Sequence, residues 1–137
     1  MQDRHTNLQR YFDEQAVTTR KFVVPYLEQL KPISKGVRVL EIGCGTGGNL
    51  VPFLEAGCQV TGVDISVTSI ERARALLGPR ESLTLIADDI YNRTEADGVF
   101  DIIVMRDVIE HIHNQEKFMG SMPRLTDKTG PLKSMTA

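Results

Sequence analysis

Four glycines lie between Gly43 and Gly48, directly behind a short apolar run that carries one carboxylate, Glu41. Glycine loses more backbone entropy on folding than other residues, so this density indicates left-handed backbone or a close approach to the main chain. The approaching group would be a nucleotide or a nucleoside, unless the glycines only form a tight turn. The spacing fits two patterns at once: GxGxxG, typical of dinucleotide sites, and ExGxGxG, which runs from Glu41 to Gly47.

Two further acidic positions follow apolar runs, Asp64 after QVTGV and Asp88 after SLTLIA. Asp64 lies at the distance from the glycines that a dinucleotide site requires, so the pattern alone leaves that interpretation open. Charge favours a different ligand, because Glu41 would do nothing for a pyrophosphate but would attract the sulfonium and ammonium groups of S-adenosylmethionine. Asp64 could then accept both ribose hydroxyls, and Asp88 could accept from the adenine amino group.

The order of elements would bring these residues together. The apolar patterns predict strands over 36–42, 59–64, 82–87 and 100–105, and helices over 7–30 (broken before Pro25), 49–56, 67–77 and 108–119. Alternation of strands and helices predicts an α/β fold, a Rossmann-like parallel sheet with helices on both faces, preceded by N-terminal helices. In such a sheet, ligands bind outside the carboxyl ends of the strands, where the acidic positions and the glycines lie.

The composition is that of a soluble globular protein, with 137 residues, 41% hydrophobic and 25% charged. Sixteen basic residues against eighteen acidic ones leave no excess to neutralise a phosphate backbone, so nucleic acid is not expected as a partner. The polar N-terminus and the lack of a long apolar run predict a cytoplasmic protein with no membrane segment. Cys44 and Cys58 lack metal spacing, so no metal is expected; they would lie too far apart for a disulfide and are predicted to be reduced and packed.

The chain resembles the class I S-adenosylmethionine-dependent methyltransferases in four stretches, VLEIGCGTG, VTGVDIS, IADDI and FDIIVMRDVIEHI, which follow in that family's order. The last stretch is similar to the branch that acts on small molecules and includes methyltransferases of quinone biosynthesis. The resemblance covers about 37–118. It implies S-adenosylmethionine as cofactor, S-adenosylhomocysteine as product, and a small-molecule methyl acceptor.

The resemblance also implies roles for individual residues. Those that would bind the cofactor are Glu41, Gly43, Cys44, Gly45, Gly47, Asp64, Ile65, Asp88, Asp89, Ile90 and Arg106. Among them, Glu41 and Arg106 would lie at the methionine end, Asp64 at the ribose and Ile65 on the adenine. Asp88 and Asp89 would lie at the adenine edge. Asp107 or His111 would assist deprotonation of the acceptor, a role for which His111 qualifies by its residue type.

The expected organisation has three parts: an N-terminal helical segment, 1–35; a partial cofactor-binding domain, 36–122; and a polar tail, 123–137. The family's sheet continues beyond this point, so the chain resembles a methyltransferase truncated at its C-terminus. The run at 100–105 would leave an apolar strand at the sheet edge, which predicts a cover from the tail or from a second copy in a homo-oligomer. Two alternatives to a methyltransferase stay open: a cofactor-binding module without turnover, and an NAD-binding oxidoreductase domain.

Overall fold

The structure is a computed structural model that describes residues 4–93, 99–105 and 134–135. Its helices are α1 (Arg4–Thr18), α2 (Val24–Glu28), α3 (Val51–Glu55) and α4 (Val67–Leu77). Its strands are β1 (Arg38–Ile42), β2 (Gln59–Asp64), β3 (Leu83–Ala87), β4 (Ile102–Met105) and β5 (Ser134–Met135). Shorter turns complete the order: a π-helical turn at Thr19–Val23 and 3₁₀ turns at Gly48–Leu50 and Ile90–Asn92.

The strands form one sheet in the order β3-β2-β1-β4-β5, and every pairing between them is parallel. In chain order, β2 pairs with β1 and β3 pairs with β2, and β4 then pairs with the other side of β1. Strand order therefore reverses between β1 and β4, and a crevice opens there at the carboxyl ends of the strands. Glu41 lies at this place, opposite Gly62 of β2 and Val104 of β4. The predicted Rossmann-like sheet is confirmed.

Two hydrophobic cores cover the two faces of the sheet, because side chains alternate along each strand. The first core joins the sheet to the helices, and its members include Val39, Val60, Val104, Phe12, Leu27, Phe53 and Ile70. The second contains Leu40, Ile42, Val63, Ile90, Phe100, Ile103 and Met105. All four residues of β4 are buried, as expected for a strand covered on both faces. The helix predicted over 108–119 lies outside the described residues.

The break expected before Pro25 does not occur, because Val24, the residue before it, keeps helical φ and ψ values of −60° and −48°. No loop separates α1 from α2; the π-helical turn at Thr19–Val23 connects them, and Pro25 lies in the first turn of α2. Proline has no N–H to donate and its ring crowds the preceding turn, so a first-turn position accommodates it. None of the helices in the described ranges is long and apolar enough to cross a membrane.

The predicted ends of the elements are met within a few residues. Gly57 closes α3 in the left-handed conformation (φ 87°) that its position predicts. Ser66 caps α4 as expected, its hydroxyl oxygen accepting the Ser69 N–H at 3.1 Å. The strands are slightly shorter than predicted, since β1 begins at Arg38 and β4 at Ile102.

The outer edge of β4 is paired with the C-terminal segment. Ile103 and Val104 lie opposite Ser134 and Met135 of β5 in parallel register. This is the first of the two covers expected for the edge, and it adds a short strand within the segment predicted to be a polar tail. A homo-oligomer through the same edge stays a prediction, as does the three-part division of the chain, since residues 106–133 lie outside the described residues.

Both cysteines are free and buried, as predicted. The Cys44 sulfur fills the space over Gly62, where an added Cβ would lie 2.8 Å from Sγ. Burial raises the pKa of the Cys44 thiol, with the Glu41 and Asp64 carboxylates adding to the shift. Burial also raises the pKa of the Cys58 thiol, with a smaller contribution from Asp101.

Neither thiol should therefore react with a thiol reagent in the native protein at pH 8. A protonated, buried thiol is a poor nucleophile, so reaction has to wait for opening of the structure. Absorbance of the thionitrobenzoate released from Ellman's reagent measures this: both thiols are expected to react within minutes in 6 M guanidinium chloride and to be protected without it. Fast release of one equivalent from the folded protein would contradict the packing described for these residues.

Candidate functional site

The glycine loop between β1 and the 3₁₀ turn has a backbone that other residues would adopt only with strain. Gly43, Gly45 and Gly47 have φ values of 75°, 56° and 88°. The loop is also tied to the neighbouring strand, because the N–H groups of Gly43 and Cys44 both donate to the Val63 carbonyl, at 2.8 and 3.1 Å. These bonds hold the loop at the carboxyl end of β2, beside Asp64.

The glycines serve different needs, as the space around each one shows. A Cβ on Gly45 would meet no atom within 4 Å, so its side of the loop is open. A Cβ on Gly47 would lie 2.8 Å from Leu77 Cδ1, and one on Gly48 would lie 2.5 Å from the carbonyl oxygen of Phe12. Gly47 and Gly48 thus allow α4 and α1 to pack on the loop, whereas Gly45 leaves room above it.

Asp64 joins the loop to the end of β2. Its Oδ2 accepts the Gly45 N–H and its Oδ1 accepts the Ser66 N–H, both at 2.8 Å. A carboxylate has about four lone-pair positions, so each oxygen keeps capacity for a further donor. Asp64 is half-buried and lines the same cavity as Gly45, so a pair of hydroxyl groups in that cavity could reach both oxygens.

Glu41 lies beneath the loop and is 1% exposed. Asn49, also buried, donates from Nδ2 to Glu41 Oε1 at 3.4 Å, and accepts at Oδ1 from the Thr19 hydroxyl at 2.7 Å. Burial of a carboxylate is costly unless polar groups surround it, so its place here favours a function in the site.

A cavity of about 590 Å³ lies between the glycine loop and α1, and its volume falls in the range of small-ligand sites. The residues that line it are Leu8, Tyr11, Glu14, Gln15, Thr18, Gly43, Cys44, Gly45, Thr46, Asn49, Asp64, Ser69 and Arg72. Four of these were predicted from the sequence: Gly43, Cys44, Gly45 and Asp64. Glu41 does not line the cavity itself, but it accepts a hydrogen bond from Asn49, which does.

The α1 side of the cavity is what sequence reasoning missed. Leu8, Tyr11 and Gln15 share one face of α1 at helical spacing and line the cavity, but such spacing by itself indicates only a face that is covered. The unmet hydrogen-bonding capacity of the wall marks it as a binding surface instead. Among the described residues, the buried Oε1 of Gln15 and Oγ1 of Thr46 have no hydrogen-bond partner, which is costly for a buried polar atom unless a ligand or water bonds to it.

The acidic positions after β3 are arranged differently from Asp64. Asp88 accepts from Asn92 Nδ2 at 2.9 Å, from the Asp89 N–H at 2.7 Å and from Arg93 at 2.6 Å. The Asp89 carboxylate is exposed and accepts the Tyr91 N–H. Ile90 is buried in the second core. These side chains are therefore occupied with the turn that follows β3, and their predicted place at the adenine edge stays a prediction, as does that of the exposed Ile65.

Acid should weaken the turn after β3 through Asp88. Hydrogen bonds from Asn92 and from the Asp89 N–H, with the Arg93 charge, hold the pKa of Asp88 below its ordinary value of 3.8. A carboxyl group whose pKa is lower in the folded state stabilises the protein at pH values above its ordinary pKa. This contribution is lost as the pH falls through the folded-state pKa. Carbon-detected NMR titration should place the Asp88 midpoint below 3.8 and move it upward in Asn92→Ala. An unchanged midpoint in that variant would contradict the assignment.

Three predicted site residues, Arg106, Asp107 and His111, lie outside the described residues. The place of Arg106 and Asp107 near the methionine rests on the resemblance, and the role of His111 in proton transfer rests on its residue type. The second half of the motif FDIIVMRDVIEHI, residues 106–112, also lies outside the described residues, whereas its first half contains β4.

The fold and the cavity define the class of protein. The chain is a Rossmann-like α/β protein whose cavity lies at the carboxyl ends of β1 and β2, between a glycine loop and a carboxylate at the end of the second strand. It belongs to the methyltransferase domain family, because that family's model matches residues 8–134. The family expected from the four motifs is thereby confirmed.

Relatives with known activities match only part of their own length. The ubiquinone biosynthesis O-methyltransferase of Rhodopseudomonas palustris (strain BisA53) is 35% identical over 100 residues, which cover 69% of this chain and 38% of that protein. The chain thus spans well under half the length of the curated relatives that it matches.

Solved structures share the fold. PKMT2 from Rickettsia typhi, in complex with AdoHcy, is 32% identical with a TM-score of 0.63, over 70% of this chain and 20% of that one. Magnesium protoporphyrin IX methyltransferase (ChlM) from Synechocystis PCC 6803, with bound SAM, covers 93% of this chain and 61% of its own at a TM-score of 0.68. At 23% identity, that second likeness shows the fold alone.

Proposed function

We propose that this chain binds S-adenosylmethionine in the cavity beside Asp64 and transfers its methyl group to a small-molecule acceptor. The observation that carries the proposal is the bond between the Gly45 N–H and Asp64 Oδ2, which sets the open glycine loop after β1 beside a carboxylate at the carboxyl end of β2. The likeness to PKMT2 in complex with AdoHcy supports the choice of cofactor. The name of the R. palustris relative supports a small acceptor.

The residues present fit this cofactor. The open space over Gly45 would admit the nucleoside without a Cβ in its path. The free lone pairs of Asp64 suit the two ribose hydroxyls. Thr46 Oγ1 and Gln15 Oε1, which lack partners among the described residues, can bond the polar groups of the amino-acid part.

The carboxylates around the glycine loop favour S-adenosylmethionine over a dinucleotide. A pyrophosphate over the glycine loop would lie near both Asp64 and the buried Glu41, and like charges at short range repel. The sulfonium and ammonium groups of S-adenosylmethionine are cations, so the same carboxylates attract them. The NAD-binding alternative therefore has the glycine spacing in its favour but not the charges around the loop.

Catalysis of the methyl transfer would depend on how the cofactor and the acceptor are positioned, more than on a nucleophile of the protein. S-adenosylmethionine supplies an activated methyl group on a cationic sulfur. Asp64 and the glycine loop would hold the nucleoside, and Glu41 would favour the cationic end, so that an acceptor atom could approach in line with the sulfur–methyl bond. Asp107 or His111 would receive the proton of the acceptor, a role for which His111 qualifies by its residue type.

A second candidate function is a binding module without turnover. It is favoured by the extent of the match, since the chain spans 38% of the R. palustris relative and the remaining length of such relatives has room for an acceptor site. Methyl transfer from labelled S-adenosylmethionine to a panel of hydroxyaromatic acceptors distinguishes the two: label in an acceptor supports the enzyme, and binding without label supports the module.

S-adenosylhomocysteine is expected to raise the melting temperature of the full chain, and NAD is not. A ligand that binds only the folded state stabilises it by about 2.7 kcal/mol at 100 times its Kd. For a domain of this size, that corresponds to a rise of roughly 10 °C. Differential scanning fluorimetry over a concentration series measures the shift. A rise with NAD and none with S-adenosylhomocysteine would refute the proposed cofactor.

A further inference from the structure

A buried chain of hydrogen bonds runs from the N-terminal helices to the carboxylate beneath the glycine loop. The Thr19 hydroxyl donates to Asn49 Oδ1 at 2.7 Å, and Asn49 Nδ2 donates to Glu41 Oε1 at 3.4 Å. Thr19 and Glu41 are 1% exposed and Asn49 is 5% exposed. Three residues that are far apart in the sequence therefore share one buried polar cluster, which we call the Thr19–Asn49–Glu41 chain.

The Glu41 carboxylate, which only accepts, determines the orientation of Asn49. A carbonyl oxygen only accepts, so the Thr19 hydroxyl must donate to Asn49 Oδ1. The NH₂ group of Asn49 then faces Glu41, as a carboxylate requires. If the amide were reversed, its oxygen would face the Glu41 carboxylate and two acceptors would repel each other at short range. The Thr19 hydroxyl, which can donate or accept, donates to Asn49 Oδ1 in this orientation and holds the amide in place.

Thr19 occupies a particular place in the N-terminal helices. It is the first residue of the π-helical turn and directly follows Thr18. Thr18 and Gln15, one turn earlier, line the cavity from α1. Short π-helical turns inside helices are frequent at functional sites because they re-aim side chains. Here the turn accompanies a hydroxyl group that reaches inward to Asn49, itself part of the cavity wall.

We propose that Thr19 is a positioning residue for the amino-acid end of the cofactor, and that it acts through Asn49 on Glu41. The inference rests on the proposed function, since it needs S-adenosylmethionine or its product in the cavity. The hydroxyl of Thr19 keeps the Asn49 amide oriented, and the oriented amide keeps the Glu41 carboxylate directed toward the cationic end of the ligand. A ligand without that end does not depend on Thr19.

Two ligands test the inference in the full chain: S-adenosylhomocysteine, and 5′-methylthioadenosine, which has the same nucleoside but no amino-acid end. Thr19→Val keeps the shape of the side chain and removes the hydroxyl. We expect it to weaken S-adenosylhomocysteine binding about tenfold, a size typical of coupling between sites, with less than about a twofold change for 5′-methylthioadenosine. Isothermal titration calorimetry measures both dissociation constants. Thr19→Ser, which restores a hydroxyl, should recover the wild-type ratio.

A double-mutant cycle shows whether the effect passes through Glu41. In a Glu41→Gln background, Thr19→Val should change S-adenosylhomocysteine binding less than about twofold, because the group on which Thr19 acts is already altered. Thr68→Val, which removes the hydroxyl of an exposed threonine on α4, is the matched control and should bind like the wild type. Should Thr19→Val not fold, Thr19→Ala against Thr19→Ser makes the same comparison.

The outcomes separate the inference from the proposed function. A wild-type chain that binds neither ligand refutes the proposed function. A wild-type chain that binds S-adenosylhomocysteine, together with a Thr19→Val variant that weakens both ligands equally or neither, refutes the inference and leaves the proposed function standing. Loss confined to S-adenosylhomocysteine, with recovery by serine, supports it.

Discussion

Asp64→Ala is expected to weaken the binding of S-adenosylhomocysteine about 100-fold and to remove the thermal shift that this ligand produces. Each hydrogen bond to a charged group contributes about 1.5–3 kcal/mol. Two such bonds from the ribose hydroxyls to the Asp64 oxygens therefore account for at least about 3 kcal/mol, or 100-fold in affinity. The variant also frees the Gly45 N–H, which donates to Asp64 Oδ2 at 2.8 Å, so the loop loses its tie to the end of β2.

A matched carboxylate at the opposite end of the sheet serves as the control. Asp101 accepts the Arg38 N–H at 2.8 Å and pairs with Lys31 at 3.3 Å, so it makes a similar number of bonds to Asp64 but lies before β4. Asp101→Ala should lower stability without altering the affinity for S-adenosylhomocysteine in calorimetry. If Asp64→Ala bound as tightly as the wild type, the site would have to lie elsewhere.

Gly48→Ala should lower the free energy of unfolding by about 3 kcal/mol, the upper part of the usual range for an overpacked position. The added Cβ would lie 2.5 Å from the carbonyl oxygen of Phe12 and 2.8 Å from Gln15 Cβ. Because backbone of α1 is in the way, the helix has to move off the loop. Urea unfolding followed by circular dichroism measures the change.

Gly36→Ala is the comparison for this variant. Gly36 has a φ of 86°, but nothing lies within 4 Å of its Cβ position, so alanine there meets only the strain of left-handed backbone, about 1 kcal/mol. Because α1 lines the cavity, Gly48→Ala should also weaken S-adenosylhomocysteine binding, and Gly36→Ala should not. Equal losses of stability in the two variants would show that α1 does not pack on Gly48 as described.

The first N-terminal helix forms one wall of the cavity, a role that neither its composition nor its periodicity predicts. Phe12 and Leu27 pack in the first core, as helical spacing predicts. Tyr11 and Gln15, in the same helix, line the cavity instead. Helical periodicity identifies a face that is covered, but it does not distinguish a face covered by protein from one that a ligand would cover.

The acidic residues at the strand ends show the same limit. Asp64 is the last residue of β2 and Asp88 directly follows β3, and local sequence predicted a ligand contact for both. The structure joins Asp64 to the glycine loop and surrounds Asp88 with Asn92 and Arg93. Which partners a carboxylate finds depends on the turn that follows it and on the neighbouring loop, and both are products of three-dimensional packing.

The sequence by itself determined the order of the elements, the parallel sheet, the left-handed glycine loop and the place of Asp64, because each of these follows from local spacing of apolar residues, glycines and turn formers. Only the tertiary structure decided that α1 forms the cavity wall, that Gly48 admits it, and that Thr19 meets Asn49 over Glu41. Those contacts join residues far apart in the chain, and side-chain pairing over such a distance leaves no periodic signal in a single sequence.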